Sequence, residues 1–192
     1  MCDKRITIRA ATREDSALIA QAVAMAIGDE ATLQSYCGNE YLTLLAEIAA
    51  QDNTQYSWQC ALVAEYEGVA AGAIVGYDGA QLYALRDDTF ALLQDRIGRI
   101  PTIADETEAG EFYLDSLGVL PQFRGLGVGR ALIAGLCAKA FAAGHERMGL
   151  LVDFDNPHAE QLYTSLGFHR VGEKIFFGHR MWHLQIESHT RK

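Results

Sequence analysis

Alternation of hydrophobic and polar residues is the main regularity of this sequence, and it is typical of strands that expose one face. Segments with a strand pattern lie at residues 4–10, 59–66, 69–77, 111–120 and 148–152, with two more around Gly178 within 168–187. The segment at 148–152 is apolar at nearly every position, as expected of a strand covered on both faces. The segment before it stops at Pro121, where proline removes a donor from the ladder.

Between these segments, apolar residues recur at the spacing of a helix. The predicted helices cover residues 12–28 after a capping-box pattern of Thr12 and Asp15, 41–48, one or two segments within 82–98, 128–144, and 156–167. Asn156 is a favourable cap for the last helix, since Pro157 follows at the first helical position. At 192 residues, the chain has the length of one domain.

One stretch, residues 111–130, combines a strand, a glycine-rich turn and the start of a helix. Its turn holds Gly125, Gly127 and Gly129 within five positions, with Arg124 beside them. The first N–H groups of a helix lack intrahelical partners and lie at the positive end of the helix dipole, so a glycine-opened helix start can bind phosphate. The pattern therefore predicts a pyrophosphate site.

Two common phosphate motifs do not match this loop. A P-loop requires Gly-Lys-Ser/Thr, whereas Gly129 is followed by Arg130 and Ala131. A dinucleotide fingerprint would need a further glycine at Arg130 or Leu132. Neither nucleoside triphosphate transfer nor dinucleotide binding is therefore favoured.

The loop does match Arg-x-x-Gly-x-Gly after a strand that ends Leu117-Gly118-Val119, and it resembles the acetyl-CoA-binding motif of the GCN5-related N-acetyltransferases. Residues 156–168, NPHAEQLYTSLGF, resemble a second motif of that family, Asn-x-x-Ala-x-x-Leu-Tyr-x-x-x-Gly-Phe, at every fixed position. The two motifs occur in the family's order. The resemblance is specific from about residue 111 to 168 and only topological before that.

This resemblance implies a GNAT fold of class α/β, with a mixed, mostly antiparallel seven-stranded sheet flanked by helices in one domain over residues 1–187. It also implies acetyl-CoA as the acyl donor and a central strand that separates from its neighbour to bind the pantetheine arm. The residues implied to bind the cofactor are Leu117, Gly118, Val119, Arg124, Gly125, Leu126, Gly127, Val128, Gly129, Arg130 and Asn156. By the same resemblance, the first two predicted helices help to form the wall of the acceptor pocket.

Acetyl transfer to an amine requires that the amine lose a proton. An amine with a pKa of ~10.4 is neutral in about one molecule in 2500 at pH 7, which corresponds to ~4.6 kcal/mol. Glu111 and Asp115 are the carboxylates nearest to the active end of the central strand, and they would lie on one face about 13 Å apart. Either of them, or a chain of water molecules, could serve as the general base.

Tyr163 occupies the position of the family's usual general acid. Because its ordinary pKa of ~10 exceeds the ~8.5 of a thiol, full proton transfer to the thiolate is uphill, and we expect a hydrogen bond to the departing sulfur instead. The alternative is an aromatic ring packed in the core, since Leu162, Tyr163 and Leu166 share one apolar helical face.

Residues 81–110 form an insertion relative to the minimal family layout. Between Arg99 and Arg124 the chain carries five carboxylates and no basic residue; the acidic residues are Asp105, Glu106, Glu108, Glu111 and Asp115. The segment is either a solvated loop or an acidic rim that attracts a cationic acceptor. Its path cannot be derived from the sequence pattern.

Composition narrows the class of partner. The net charge of -9 argues against nucleic acid and fits a cationic small molecule or peptide. No apolar run approaches the ~20 residues that cross a bilayer, and the start MCDKR has no signal-peptide core, so we expect a cytoplasmic protein without a membrane partner.

Metal chemistry is not predicted. The four cysteines contain no Cys-x-x-Cys pair, and we expect small buried hydrophobic residues at Cys2, Cys37, Cys60 and Cys137. His179 and His183, four apart on a predicted strand, would lie about 13 Å apart, too far to share a metal ion.

The resulting hypothesis is an N-acetyltransferase that moves an acetyl group from acetyl-CoA to a primary amine of a small, cationic acceptor in a direct ternary complex. One alternative is acetylation of a protein N-terminus or lysine. An alternative of another class is a sensor or regulatory module that binds acyl-CoA without turnover. A homodimer is compatible with the resemblance, although no motif defines its mode.

Overall fold

The computed structural model describes residues 5–188, which form one seven-stranded sheet with helices on both faces. Residues 1–4, which include Cys2, and residues 189–192, which follow the predicted domain of residues 1–187, lie outside the described residues. The strands are β1 (Ile6–Ala10), β2 (Ala61–Tyr66), β3 (Val69–Asp78), β4 (Phe112–Val119), β5 (Arg147–Asp153), β6 (His169–Phe176) and β7 (His179–Glu187). They lie in the order β1-β2-β3-β4-β5-β7-β6, and every neighbouring pair is antiparallel except β4–β5. The predicted mixed, mostly antiparallel sheet is confirmed.

The helices are α1 (Ser16–Ile27), α2 (Glu30–Cys37), α3 (Tyr41–Ala49), α4 (Leu82–Ile97), α5 (Val128–Ala142) and α6 (Pro157–Thr164). The capping box before α1 is present, since the N–H of Thr12 donates to the carboxylate of Asp15 at 2.8 Å. The insertion contains the single helix α4, and α2 was not predicted. Within residues 5–188, no helix has the length and apolar character needed to cross a membrane.

The sheet separates two hydrophobic cores because successive strand residues point to opposite faces. On one face, Val63 and Val75 pack with apolar residues of α1, α2 and α3. On the other face, Leu62 and Ile74 pack with α5, and Tyr163 of α6 belongs to the same cluster. The central strands are thus covered on both sides by helices.

Strand β4 has unequal partners on its two sides. It pairs with β3 from Phe112 to Val119, but with β5 only through Phe112, Tyr113 and Leu114. Beyond Leu114 no strand among the described residues pairs with the β5 side of β4. We call this side of residues 115–119 the open edge of β4. It reproduces the separation of strands that the family resemblance implied.

A β-bulge lies where the open edge begins. Gly76 of β3 pairs with Leu114 and Val75 pairs with Ser116, so Asp115 is the extra residue of the bulge. The bulge reverses the alternation: Leu114 packs in the core beneath α5, and after the bulge Leu117 packs there instead. The inserted residue, Asp115, therefore ends the pairing of β4 with β5. The bulge also sets the direction of the Asp115 side chain.

Helix α1 crosses β4 directly over Gly118. A Cβ at this position would overlap the Cα of Ala22 and lie 2.8 Å from its Cβ. Only glycine allows the helix to approach the strand this closely. The approach places the C-terminal end of α1 beside the open edge.

We expect Gly118→Ala to destabilise the fold by about 1–3 kcal/mol, because α1 must move away from β4 to admit the methyl group. Gly172→Ala is the matched control, since Gly172 lies in β6 and a Cβ added there would have no atom within 4 Å. Urea unfolding of both variants measures the difference. Equal stability of the two variants would contradict the tight crossing at Gly118.

Candidate active site

A cavity with a free volume of about 100 Å³ lies where β4 and β5 separate. Its floor is formed by the first half of β4 and the end of β5, and its walls by the α1–α2 connection, the segment before β4 and the tip of the β6–β7 hairpin. The residues that line it are Ala26, Ile27, Asp29, Thr32, Tyr56, Ile103, Glu106, Tyr113, Asp115, Ser116, Leu151, Asp153, Phe176, Phe177, His179 and Met181. Four of these are carboxylates, and none is a lysine or an arginine.

The walls differ in one respect from what the resemblance implied. Helix α1 contributes Ala26 and Ile27 as expected, but the helix that begins at Tyr41 contributes no lining residue. Thr32 of α2 lines the cavity instead. The short helix that the sequence pattern did not indicate is therefore part of the cavity wall.

Asp115 projects from the bulge into this cavity. Its carboxylate accepts hydrogen bonds from the hydroxyl groups of Ser116 at 2.7 Å and Tyr77 at 3.1 Å. Burial raises the pKa of Asp115 to about 7, and the negative charge of Glu106 acts in the same direction. The two hydroxyl groups and Arg86 oppose this rise. A carboxyl with such a pKa exists in both protonation states near neutral pH.

Glu106 extends this arrangement into the protein interior. The same Tyr77 hydroxyl lies 3.0 Å from Glu106 Oε1, and the amide of Gln55 donates to that oxygen at 2.8 Å. The other carboxylate oxygen pairs with the guanidinium of Arg86, which α4 carries. Burial raises the pKa of Glu106, although Arg86 opposes this effect.

Glu111 lies on the same face as Asp115 but away from the cavity. Its carboxylate accepts from Thr107 at 2.7 Å and from Gln185 at 2.7 Å, and it lies 2.9 Å from His183 Nε2. Burial favours a raised pKa, but the hydrogen bonds prevail, and the pKa of Glu111 lies below its ordinary value. The side chain covers Gly149, where any Cβ would overlap it.

Tyr163 is 8% exposed and packs edge-on against Phe168, with 5.8 Å between the ring centroids. Burial raises its pKa to about 12. No residue in the described range 5–188 forms a hydrogen bond with its hydroxyl group. The side chain is thus a neutral O–H donor without a partner in the described part of the chain.

The glycine loop has the geometry that the sequence predicted for an anion site. Gly125 and Gly127 have positive φ angles of 76° and 86°, and Gly127 caps the N-terminus of α5. The first helical bond of α5 is donated by Ala131, at 3.0 Å from the Gly127 carbonyl. No described residue accepts a hydrogen bond from the backbone N–H groups of residues 125–130.

The other predicted cofactor residues surround this loop. Arg124 donates to the carbonyl of Val119 at 3.1 Å, and Arg130 donates to Ser165 at 2.7 Å. Leu117, Gly118 and Val119 form most of the open edge, whereas Leu126 and Val128 flank Gly127. Asn156 caps α6 by accepting from the N–H of Ala159 at 3.1 Å, as predicted. The start of α5, the end of β4 and α6 meet at Gly129, where a Cβ would lie 3.7 Å from Val119 and 3.8 Å from Leu162.

Residues 5–188 contain no cluster of three or more histidine, cysteine, aspartate or glutamate side chains that could hold a metal ion. His179 pairs with Asp153 at 2.9 Å, and His183 contacts Glu111, so the two histidines have separate carboxylate partners.

The sequence did not indicate Tyr77, Arg86, Gln55 or Glu106 individually as members of the site. The charge pattern did mark the acidic segment around Glu106. No local pattern connects these residues, because the contact between Glu106 and Tyr77 spans 29 positions and that between Tyr77 and Asp115 spans 38.

A family model described as the acetyltransferase (GNAT) family matches residues 30–168. The mycothiol acetyltransferase of Gordonia bronchialis is 30% identical over 164 residues, a match that covers 79% of this chain and 48% of that protein. The chain thus spans about half the length of that curated relative.

Solved structures share the fold over nearly the whole chain. A crystal structure described as an acetyltransferase is 34% identical with a TM-score of 0.78, and the match covers 94% of this chain and 98% of that one. The Salmonella typhimurium protein yncA, whose structure contains its cofactor acetyl-CoA, is 21% identical with a TM-score of 0.61. That match covers 96% of this chain and 94% of yncA and shows a common fold.

The raised pKa of Asp115 predicts a pH-dependent contribution to stability. The folded chain binds the Asp115 proton more tightly than the unfolded chain, so this contribution is complete below the ordinary pKa of 3.8 and is lost as the pH rises through about 7. The Asp115→Asn variant has no ionisable group at this position, so its stability lacks this pH-dependent contribution. We therefore expect the free energy of unfolding of the wild type, minus that of the variant, to fall across this range. Urea unfolding at a series of pH values measures it, and a constant difference would contradict the raised pKa.

Proposed function

This chain belongs to the acetyltransferase (GNAT) family, and we propose that it transfers an acetyl group from acetyl-CoA to a primary amine of a small, cationic acceptor. The observation that carries the proposal is the open edge of β4. It runs from Asp115 in the acidic cavity to Val119 beside the glycine loop. One continuous strand edge thus joins a site suited to an amine with a site suited to a pyrophosphate.

On the donor side, the unpaired N–H groups of residues 125–130 would bind the pyrophosphate of acetyl-CoA, and Arg124 and Arg130 would add positive charge. The backbone groups of Leu117, Gly118 and Val119 at the open edge would pair with the pantetheine arm, as another strand would. The bound cofactor in yncA, which has the same fold, supports this assignment.

On the acceptor side, the cavity favours a cation. Its carboxylate-bearing lining residues are Asp29, Glu106, Asp115 and Asp153, and no lysine or arginine lines it. A bound ammonium group would gain from the carboxylates and meet no fixed positive charge. The small free volume fits one amine-bearing arm, and the name of the Gordonia relative also supports a small-molecule acceptor.

Asp115 is the proposed general base. As a carboxylate, it would accept a proton from the bound ammonium group, and the neutral amine would then attack the thioester carbonyl. A backbone N–H of the open edge would stabilise the oxyanion of the tetrahedral intermediate. Its collapse breaks the C–S bond and expels the thiolate of CoA; the nitrogen loses its extra proton to leave the neutral amide, the thiolate takes up one proton, and Asp115 returns its proton to solvent. A pKa of about 7 suits this task because the base must both accept and release a proton near neutral pH.

Glu111, the other candidate base, is less suitable. Its carboxylate is occupied by Thr107, Gln185 and His183, and its pKa is lowered. We assign it a structural role in connecting β4 with β7.

Tyr163 would donate a hydrogen bond to the departing sulfur. With a pKa of about 12 against ~8.5 for a thiol, complete proton transfer would cost about 5 kcal/mol. A hydrogen bond requires no such transfer, and the hydroxyl group has no competing partner among the described residues. The role therefore matches the environment of the side chain.

Direct transfer is favoured over an acyl-cysteine intermediate. Burial raises the pKa of Cys37 to about 12 and those of Cys60 and Cys137 to about 11. Thiols in such surroundings are poor nucleophiles at neutral pH.

We expect amine-dependent release of free CoA thiol from acetyl-CoA with a panel of diamines, polyamines, amino sugars, amino acids and short peptides. Asp115→Asn should lower kcat/KM by roughly 10²–10⁴-fold, the usual contribution of a general base. Tyr163→Phe should lower kcat by roughly 10–100-fold, which matches one hydrogen bond to a charged group. Colorimetric thiol detection measures both.

The exposed residues Glu108 and Tyr83 provide controls, and Glu108→Gln and Tyr83→Phe should retain activity. Turnover only with peptides would shift the proposal to a protein acceptor. Binding of acetyl-CoA without turnover for any amine would support a sensor instead.

Two glycines at opposite ends of α5 test the pyrophosphate site. Gly127 and Gly144 both have positive φ, at 86° and 93°, so replacement by alanine strains the backbone similarly, by about 1–2 kcal/mol. Only Gly127→Ala places a methyl group at the proposed phosphate position. We expect the Kd for CoA to rise roughly tenfold or more in Gly127→Ala and to stay unchanged in Gly144→Ala. Calorimetric titration with CoA measures this, and equal affinities would refute the assignment of the loop.

A further inference from the structure

Asp115 does not stand alone in the cavity wall, because the insertion places a second buried carboxylate on the other side of a shared hydroxyl group. We propose that Glu106, acting through Tyr77, is a positioning residue that holds Asp115 ready to take up and release the acceptor's proton. The inference rests on the proposed function, since it concerns the group assigned as the base.

The hydroxyl group of Tyr77 is the centre of this arrangement. It lies 3.1 Å from Asp115 Oδ2 and 3.0 Å from Glu106 Oε1, but it has one proton to donate. It can therefore donate to only one carboxylate at a time. When Asp115 is ionised, the Tyr77 proton can point to Asp115. When Asp115 is protonated, Asp115 can donate to the Tyr77 oxygen while Tyr77 donates to Glu106.

This exchange of hydrogen bonds requires that the Glu106 side chain keep its position and remain a hydrogen-bond acceptor. Its side chain is 2% exposed and is held by the Gln55 amide at 2.8 Å and by the guanidinium of Arg86. Arg86 is itself buried, with 7% of its side chain exposed. One buried cation thus offsets one of the two carboxylates, and the remaining negative charge favours uptake of a proton by Asp115.

Other groups face Asp115 from the elements packed around it, and none of them provides a second buried cation. They are Tyr77 from β3, Tyr113 and Ser116 from β4, Tyr36 from α2, Tyr56 and Cys60 before β2, and, as co-lining residues of the cavity, Asp29, Asp153 and His179. Tyr56 and Tyr36 form a hydrogen bond with each other at 3.2 Å. Glu106 is the buried carboxylate that shares a hydrogen-bonding group with Asp115.

The insertion therefore contributes to the proposed catalytic step. Helix α4 carries Arg86, and the segment before β4 carries Glu106. The hairpin of β6 and β7 also contacts this segment, since Lys174 Nζ donates to the carbonyl of Glu106 at 3.1 Å. With Gln55 and Tyr77, these contacts hold Glu106 from four separate parts of the chain.

Replacement of Glu106 and replacement of Tyr77 should move the titration midpoint of Asp115 in opposite directions. Glu106→Gln removes a buried negative charge and leaves Arg86 with Asp105 as its carboxylate partner, so the midpoint for Asp115 should fall by about one pH unit or more. Tyr77→Phe removes a donor that stabilises the carboxylate, so the midpoint should rise. Asp105→Asn is the control: Asp105 also pairs with Arg86, at 2.7 Å, but has no contact with Tyr77, and the midpoint should stay unchanged.

The carboxyl carbon of Asp115 reports this titration directly in ¹³C NMR of the full chain, and its signal is assigned as the one missing in Asp115→Asn. The measurement does not depend on turnover, so it separates this inference from the proposed function. Opposite movements in the two variants, with no movement in the control, would support the inference. Equal midpoints in wild type and Glu106→Gln would overturn it. Each variant predicts its own direction of movement of the Asp115 midpoint. If one variant does not fold, the other still tests the inference.

The acid limb of kcat/KM against pH then links the network to the reaction. It should move to lower pH in Glu106→Gln and to higher pH in Tyr77→Phe, in parallel with the NMR midpoints. Movement of the NMR midpoints with an unchanged pH profile would show that Asp115 is not the base. That result would overturn both the catalytic part of this inference and the proposed role of Asp115, while the coupling of the two carboxylates would stand.

Discussion

The separation of β4 from β5 after Leu114 is the constraint on which the candidate site depends. A parallel pair requires both strands to keep the same register, and the extra residue at Asp115 breaks that register in β4 alone. Beyond Leu114, no strand in the described part of the chain pairs with this side of β4, and a gap opens between the strands. The same residue that ends the pairing occupies the gap with its carboxylate, so the cavity and the proposed base have one structural origin.

An open strand edge in the middle of a sheet needs support on its other side. Here β3 pairs with β4 along the full length of β4, and α1 lies against Gly118 so closely that no side chain would fit. Helix α5 covers the opposite face through Leu117 and Val119. The open edge is therefore rigid although it is unpaired, and a rigid edge is what an extended cofactor arm requires, since little conformational entropy is lost when it binds.

The cavity wall is held by contacts between distant parts of the chain. Phe177, at the tip of the β6–β7 hairpin, adopts a φ of 49°, which is unusual for a bulky residue, and its ring packs edge-on against Tyr36 at 5.6 Å. Lys174 of the same hairpin contacts the acidic segment at Glu106. The hairpin, α2 and the acidic segment thus support one another around the cavity.

Sequence periodicity was sufficient for the sheet and for most helices because their buried faces repeat with the period of the element. The glycine loop and the cap at Asn156 were predicted because they depend on local backbone geometry, which local sequence determines. Helix α2 was missed because its eight residues bury only Leu33, Tyr36 and Cys37, too few for a recognisable period. The bulge at Asp115 was missed for a similar reason: its trace in the sequence is the single polar pair Asp115-Ser116 between Leu114 and Leu117, which is too short to show a reversal of faces.

The acidic segment shows why charge counting along a chain is a weak guide to its role. Of the five carboxylates between Arg99 and Arg124, Asp105 and Glu108 are exposed, whereas Glu106 and Glu111 are 2% and 3% exposed. Asp115 faces the cavity. A solvated loop would have turned these groups to water, where each would act on a bound molecule only through a weak, screened field.

Buried carboxylates act over hydrogen-bond distances instead, and they do so only where a partner of defined geometry compensates them. Arg86 compensates Glu106, and Thr107, Gln185 and His183 compensate Glu111. Among the described residues, the hydrogen-bond partners of Asp115 are hydroxyl groups and no cation contacts it directly, and this difference from Glu106 and Glu111 is why we propose Asp115 as the group that exchanges a proton with the acceptor.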